Sequence, residues 1–262
     1  MLDIEKKLAV VVISCDNYSS LWDIFFSRFQ KFWPDCPYEK YLVTNFKKFD
    51  YYGVNCVNVG EDRDWSSNLL NALTFIPETN LLLFLEDSPL NSVVNQSMFE
   101  SVYEEFVSRD MDFLNLKNDP KFTSYFSGIS RIPEKSFYRA TVVINLWSKC
   151  VFQNLLKAGE SAWEFEIAGT QRSDLYPNFY SLNRCFFDYI HIVYKRKIMY
   201  DTAKILKLSG ELKILEFPVQ NRCEYIKLKT KNFIRTFSLK IIPRKLQRMI
   251  RYKLKGKGFS YV

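Results

Sequence analysis

Apolar residues fall into two alternating patterns along this chain: short runs, and longer stretches in which they recur every three or four positions. Residues 8–14, 38–44, 54–59, 81–85 and 111–116 read as strands, and the wholly apolar 81–85 as one buried on both faces. Leu21, Ile24, Phe25, Phe29 and Phe32 mark a helix over 18–32, which Pro34-Asp35-Cys36-Pro37 stops. Further helices are expected over 66–73, capped by Asp64 or Ser66, over 97–108, and over 149–158, closed by Gly159. Residues 137–146 are strand-like, 205–217 suggest an antiparallel hairpin turning at Ser209-Gly210, and 240–254 a basic amphipathic helix. The rhythm predicts an α/β fold: a mixed, mainly parallel, Rossmann-like sheet flanked by helices over residues 1–200, then a C-terminal extension of hairpin and basic helix over 201–262.

Composition removes several chemistries. The single His191 rules out sites built on paired histidines and most zinc sites. The eight scattered glycines form no phosphate-cradling loop. Six cysteines without a CxxC pair fit reduced, mostly buried thiols in a reducing compartment. The apolar run at 8–13 is short for a signal peptide and no segment approaches membrane-spanning length, so neither secretion by that route nor insertion is expected.

The chemistry concentrates at four places. Leu81-Leu82-Leu83-Phe84-Leu85 ends abruptly in Glu86-Asp87, and Pro89 forbids continuation as a central strand. Carboxylates at the carboxyl edge of a buried strand suit a hard cation, Mg²⁺ or Mn²⁺, carrying a phosphorylated substrate; the same pair also fits a solvated acidic turn. Glu160-Ser161-Ala162-Trp163-Glu164-Phe165-Glu166 sets carboxylates beside aromatics, which suits a general base in a partly desolvated pocket and equally a helix start with acids at its positive end. Ser14, Cys15, Asp16 and Asn17 end the first strand, where small polar groups can bind a nucleoside or cap a helix. Asp62, Asp64 and Trp65 set acids beside an aromatic, able to flank a nucleoside.

VVISCDNYSSLWDIFFSRFQKFWPDCPYEKYLVTN, WSSNLLNAL followed by LLLFLEDSPL, and ESAWEFEIAGTQRS together resemble a family of bacterial GT-A-type glycosyltransferases from surface polysaccharide and lipopolysaccharide clusters, capsule and O-antigen included. The resemblance spans about residues 8 to 190. In that family the strand usually ends in Asp-Asp-Tyr; here Glu86 replaces the first acid, Asp87 keeps the second, and Ser88 stands in place of the tyrosine. The resemblance implies a GT-A-like fold and a metal-dependent, inverting transfer of a sugar from a nucleotide-sugar donor to a saccharide or lipid-linked acceptor. It places Asp16 near the nucleoside, Asp87 on the diphosphate and its divalent metal, and a base in Trp-Glu-Phe-Glu, Glu166 with Glu164 next; Ser14, Asp64, Trp65 and Glu86 join Asp16 as donor-binding candidates from the residues themselves. Arg172 either pairs the diphosphate or is an ordinary surface arginine.

Charge then separates the tail from the rest. From Arg222 onward thirteen Lys or Arg face the single acid Glu224, a net +12, so residues 1–221 carry −4 of the total +8. Bases interleaved with Phe233, Phe237, Ile241, Ile242, Leu246, Ile250 and Leu254 suit an anionic membrane surface, hence a cytoplasmic protein peripheral to the inner face of the cell membrane; a solvated helix packing by its apolar stripe uses the same residues. No nucleic-acid-binding motif accompanies the charge, and nucleic acid is not an expected partner. A non-catalytic nucleotide-sugar or membrane-surface binding protein with a degenerate metal site is the alternative class, favoured by Glu86.

Overall fold

The computed structural model of the chain describes residues 8–117 and 128–241. It divides into two compact units, one of Met1–Glu134 and Tyr138–Ile190, the other of Lys135–Phe137 and His191–Val262.

The first unit is a mixed α/β fold. Its strands are β1 (Leu8–Ile13), β2 (Glu39–Thr44), β3 (Val54–Asn58), β4 (Asn80–Leu85), β5 (Phe113–Asn115), β6 (Ile129–Arg131), β7 (Asn145–Ser148) and β8 (Phe179–Leu182). They form one sheet in the order β3-β2-β1-β4-β7-β5-β8-β6. Within it β1, β2, β3 and β4 pair in parallel, as do β5 and β8, while β7 and β6 run against their neighbours. The helices are α1 (Trp22–Phe32), α2 (Trp65–Ala72), α3 (Gln96–Ser108), α4 (Lys149–Leu155) and α5 (Ala162–Arg172).

Strand periodicity sorts the core. Leu8, Val10 and Val12 of β1, with Leu82 and Phe84 of β4, pack against Trp22, Phe25, Phe26 and Phe29 of α1 and Phe99, Tyr103 and Phe106 of α3. The intervening Ala9, Val11, Ile13, Leu81 and Leu83 face the other way, onto α2, α4 and α5 through Leu69, Phe152 and Phe165. Both faces of the central strands are therefore covered, which is why those strands read as unbroken apolar runs. Each fully buried side chain of this kind contributes about 1.5–3 kcal/mol.

Two stretches depart from expectation. Of residues 137–146 only the end is strand, because the stretch is pinned from α5 instead: the Ala140 N–H donates to Thr170 Oγ1 at 3.0 Å and the Val142 N–H to Glu166 Oε1 at 3.3 Å. Tyr138 and Ile144 there take φ of 49° and 55°, a conformation a strand does not allow. The second unit holds no hairpin at 205–217 but α6 (Tyr200–Leu208) and a 3₁₀ turn, Glu211–Ile214. Thr202, Ala203 and Leu206 are buried at helical spacing, and Gly210, with φ of 78°, ends the helix rather than turning a hairpin. A two-residue antiparallel pair, β9 (Val193–Tyr194) with β10 (Lys197–Ile198), precedes α6, and α7 (Arg222–Ile241) follows it. Beyond Ile241 the expected helix over 240–254 lies outside the described residues. No described helix is long and apolar enough to cross a membrane.

Candidate functional site

Parallel pairing brings the carboxyl ends of β1, β2, β3, β4, β5 and β8, and the amino end of antiparallel β7, to one sheet edge. That is the edge at which open α/β sheets bind ligands. Ser14 to Asp16 follow β1, Asn45 follows β2, Glu86-Asp87 follow β4, Lys117 follows β5, and residues 141–144 lead into β7 there.

Glu86 and Asp87 occupy the two central positions of a tight turn, closed by the Ser88 N–H donating to the Leu85 carbonyl at 3.0 Å. The Ser88 hydroxyl donates to Asp87 Oδ1 at 3.0 Å. Beyond the turn, the Asn91 N–H donates to Asp188 O at 2.9 Å and the Ile190 N–H to Pro89 O at 3.0 Å, around a bridge between Leu90 and Tyr189. The turn is thus fixed at both ends. Glu86 is only 8 % exposed. Burial first, and then the charge of Asp87, push its carboxyl well above the usual range, against a hydrogen bond from Ser14. The Ser14 Oγ itself accepts the Trp22 indole N–H at 2.8 Å, so helix α1 orients the hydroxyl. Burial also pushes the neighbouring Cys15 thiol up, and the charges of Glu86 and Asp62 add to it.

Two adjacent carboxyls, one of them buried, form a site whose doubly charged state needs a cation. Among the described residues no group of three His, Cys, Asp or Glu converges. Mg²⁺ commonly takes one or two protein carboxylates and completes its shell with substrate phosphate and water, and Asp87 with Glu86 fits that donor set.

Asp16 sits differently from a free ligand-binding acid. Its Oδ1 accepts the Asn45 N–H and its Oδ2 the Phe46 and Lys47 N–H groups, each at 3.0 Å. Asn45 reciprocates, its Oδ1 accepting the Asp16 N–H at 3.1 Å while its Nδ2 donates to Gly60 O at 3.3 Å. The two residues lace together the ends of β1, β2 and β3. Lys47 Nζ donates to Ser19 Oγ at 2.7 Å, setting a cation at the same rim.

Trp65 meets the Trp-Glu-Phe-Glu segment directly, and Ser66 the residues just before it. The Ser66 N–H donates to Glu160 O at 3.0 Å, and the Trp65 and Phe165 rings lie 5.6 Å apart. Asp64 is the N-cap of α2, its Oδ1 accepting the Ser67 N–H at 2.8 Å. The Ser67 side chain, helped by backbone N–H groups of Ser67, Gly159 and Ser66, holds its carboxyl below the usual range against the opposing effect of burial. A depressed carboxylate value stabilises the fold above its unfolded value and ceases to do so as pH falls through the folded one. Asp64→Ala is accordingly expected to cost about 1 kcal/mol at neutral pH, and the difference from wild type should shrink under acid; equal urea midpoints at neutral pH would contradict the cap.

The two candidate bases on α5 stand apart in role. Glu164 closes a capping box with Ser161: its Oε2 accepts the Ser161 N–H at 3.0 Å, and Ser161 Oγ accepts the Glu164 N–H at 3.3 Å. Glu166, half-buried, accepts the Val142 N–H in the segment that turns into β7 at the ligand edge. That turn is tight, with β-branched Ile144 at positive φ. Asn145 Nδ2 donates to Thr141 O and Oγ1, both at 3.0 Å, while its buried Oδ1 has no partner among the described residues. Trp163 is 52 % exposed beside Glu164.

Arg172 is engaged within the fold. Its guanidinium donates to both oxygens of Glu160, at 2.9 and 2.6 Å, and to Leu155 O at 2.9 and 2.6 Å, tying the end of α5 to residues 155–160. Arg172→Ala is expected to cost about 2 kcal/mol, since it leaves a partly buried carboxylate and a carbonyl unpaired, and to leave nucleotide affinity unchanged; a weakened affinity at unchanged stability would reverse that assignment.

Asn45, Lys47, Ser88, Lys117, Thr141 and Asn145 are the edge residues not foreseen from sequence. Lys117 Nζ lies 5.4 Å from the centre of the Tyr189 ring, on the segment that bridges to Leu90. For Lys117 and Asn145 the available signal was a Lys or Asn directly after an apolar residue at the end of a strand-like run.

No family model and no curated protein matches the sequence. Among solved structures the chain is similar to Staphylococcus aureus TarS. For TarS residues 1–349 the identity is 12 % and the TM-score 0.48, with 70 % of this chain and 59 % of that chain covered. For the fragment with UDP the values are 13 % and 0.47, over 82 % and 67 %. For the fragment with UDP-GlcNAc they are 12 % and 0.48, over 94 % and 79 %. The chain thus spans 59 % of the length of the first of these fragments. The functional weight falls on this chain's own residues.

Proposed function

We propose that the chain is a GT-A-type glycosyltransferase: it moves a sugar from a nucleotide-sugar donor to a saccharide or lipid-linked acceptor, with inversion and with a divalent metal, in the synthesis of a bacterial surface polysaccharide. The observation that carries the reading is the fixed Glu86-Asp87 turn at the carboxyl edge of β4, on the same sheet edge as Asp16 with Asn45 and as the Glu166-bound turn into β7.

Asp87, with Glu86 behind it, would hold the metal, which when bound neutralises charge on the departing diphosphate. Asp16 orders residues 45–47 as a border for the nucleoside, with Ser14 at the same strand end. Trp65, packed on Phe165 of α5, and Asp64, the cap of α2, would flank the nucleoside. Glu166 takes the proton of the acceptor hydroxyl as its oxygen attacks the anomeric carbon. Glu166 is preferred to Glu164 because the latter already closes its own helix end. Lys117 and Lys47 supply positive charge at the rim toward diphosphate. The basic C-terminal region brings the enzyme to an anionic membrane surface on the cytoplasmic side, where a lipid-linked acceptor resides.

The test is nucleotide-sugar binding, read as thermal stabilisation with Mn²⁺ present. UDP and UDP-GlcNAc, with which the TarS fragment was solved, are the first probes. A non-catalytic binder with a degenerate metal site is the second reading, favoured by Glu86, whose burial sets it apart from an exposed ligand.

A further inference from the structure

Helix α7 buries one side and leaves an apolar stripe open on another. Its inner side is marked by buried Leu228 and by Tyr225, whose hydroxyl donates to Asp201 Oδ2 at 2.7 Å and whose ring lies 5.7 Å from that of Tyr200, both on α6. Glu224 there accepts from Lys197 Nζ at 2.5 Å. Cys223, Ile226, Thr230 and Phe233 follow one another at three- and four-residue spacing along a different face, and all four are exposed, Ile226 by 53 % and Phe233 by 72 %. An exposed apolar stripe on a helix already seated by its other side is not explained by packing among the described residues.

Charge says what would cover it. By helical spacing Arg222 and Lys229 lie along one border of the stripe and Lys227 and Lys231 along the other, and all four are exposed, Lys229 even with its Nζ 3.6 Å from Asp201 Oδ2. Glu224, the only acid from Arg222 onward, belongs to the inner side. A helix with an outward apolar strip between two rows of cations has the composition of one lying in the interface of an anionic bilayer, apolar side chains among the acyl ends of the headgroup region and lysines at lipid phosphates. A second copy docked by the same stripe would instead set like charge against like.

We infer that the first three turns of α7 are a membrane-docking face for anionic phospholipid, with Ile226 and Phe233 as the inserted anchors. The inference deepens the membrane association proposed above, resting it on a face of α7 distinct from the sequence-expected helix over 240–254. It stands independently of sugar transfer, and its test separates the two.

The full chain is sedimented with vesicles of phosphatidylcholine alone and with vesicles containing about 30 % phosphatidylglycerol. The bound fraction is expected only with the anionic vesicles and should fall about tenfold in Ile226→Ser/Phe233→Ser, whose thermal stability stays that of wild type because both side chains are already exposed. In Phe233→Trp the introduced indole's emission, taken as the difference from wild type, should shift to shorter wavelength on adding anionic vesicles. Nucleotide-sugar stabilisation measured on the same double variant should be unchanged, so that failure of docking and failure of the transferase reading appear as different results. Equal binding of wild type and double variant, binding that ignores phosphatidylglycerol, or an unshifted emission in Phe233→Trp would overturn the inference. So would a concentration-dependent dimer abolished by the double substitution, or capture of duplex DNA or RNA in preference to vesicles.

Discussion

Replacing Asp87 by Asn is expected to lower sugar transfer at least about a thousandfold and to weaken metal-dependent nucleotide-sugar binding about tenfold. A thousandfold loss is about 4 kcal/mol of transition-state stabilisation, the size expected when charge on a leaving diphosphate goes uncompensated. The substitution keeps side-chain volume and an oxygen able to accept the Ser88 hydroxyl, so the turn closed by Ser88 and Leu85 should survive and thermal stability should change little. Turnover measured by nucleotide release, together with melting temperature, distinguishes a lost ligand from a lost fold. Wild-type turnover in the Asn variant would remove the metal-diphosphate assignment.

The second large effect is expected at α5. Glu166→Gln should reduce transfer by about 10²- to 10⁴-fold, the usual share of a general base, with donor affinity within about twofold of wild type. A glutamine oxygen can still accept the Val142 N–H, so the turn into β7 remains tied. Glu164→Gln should do the reverse: turnover nearly intact, stability lower by roughly 0.5–1 kcal/mol as the capping box with Ser161 weakens. Inactive Glu164→Gln beside active Glu166→Gln would exchange the two roles.

These roles were legible in the sequence to different degrees, for physical reasons. The β4 edge was readable because a strand buried on both faces must be apolar throughout, and Pro89 marks where it stops. Helix α1 was readable because Phe25 and Phe29 repeat at its period, and α2 because Asp64 is a chemically specific cap. Strands β6 and β8 escaped: three and four residues carry almost no periodic signal, and Ile129–Arg131 is strand only because Phe179–Leu182 lies beside it. Residues 137–144 misled for the opposite reason, being β-branched and aromatic yet held irregular from outside by Thr170 and Glu166. Around α6 the error lay in Gly210, which suits a hairpin turn and a helix end equally until Thr202, Ala203 and Leu206 are seen to share a buried side.

The site shows the same division. Glu86-Asp87 and the Trp-Glu-Phe-Glu segment announce themselves by composition. That Asp16 is engaged by residues 45–47, that Glu164 closes a cap while Glu166 reaches the β7 turn, and that Arg172 is consumed by Glu160 depend on which segments fold together. Asn45 was invisible as a partner of Asp16 because the pair is 29 residues apart and exists only once β1 and β2 lie side by side.

The central claim is that the Glu86-Asp87 turn holds a metal-bound nucleotide diphosphate, and its most direct test is calorimetric titration of UDP, GDP and CMP into the full chain with and without Mn²⁺. UDP or GDP should bind with an affinity at least about tenfold higher when Mn²⁺ is present, a gain not expected for CMP, which lacks the diphosphate, and the enhancement should vanish in Asp87→Asn. Nucleotide affinity that is the same with and without Mn²⁺, or absent for all three, would contradict it.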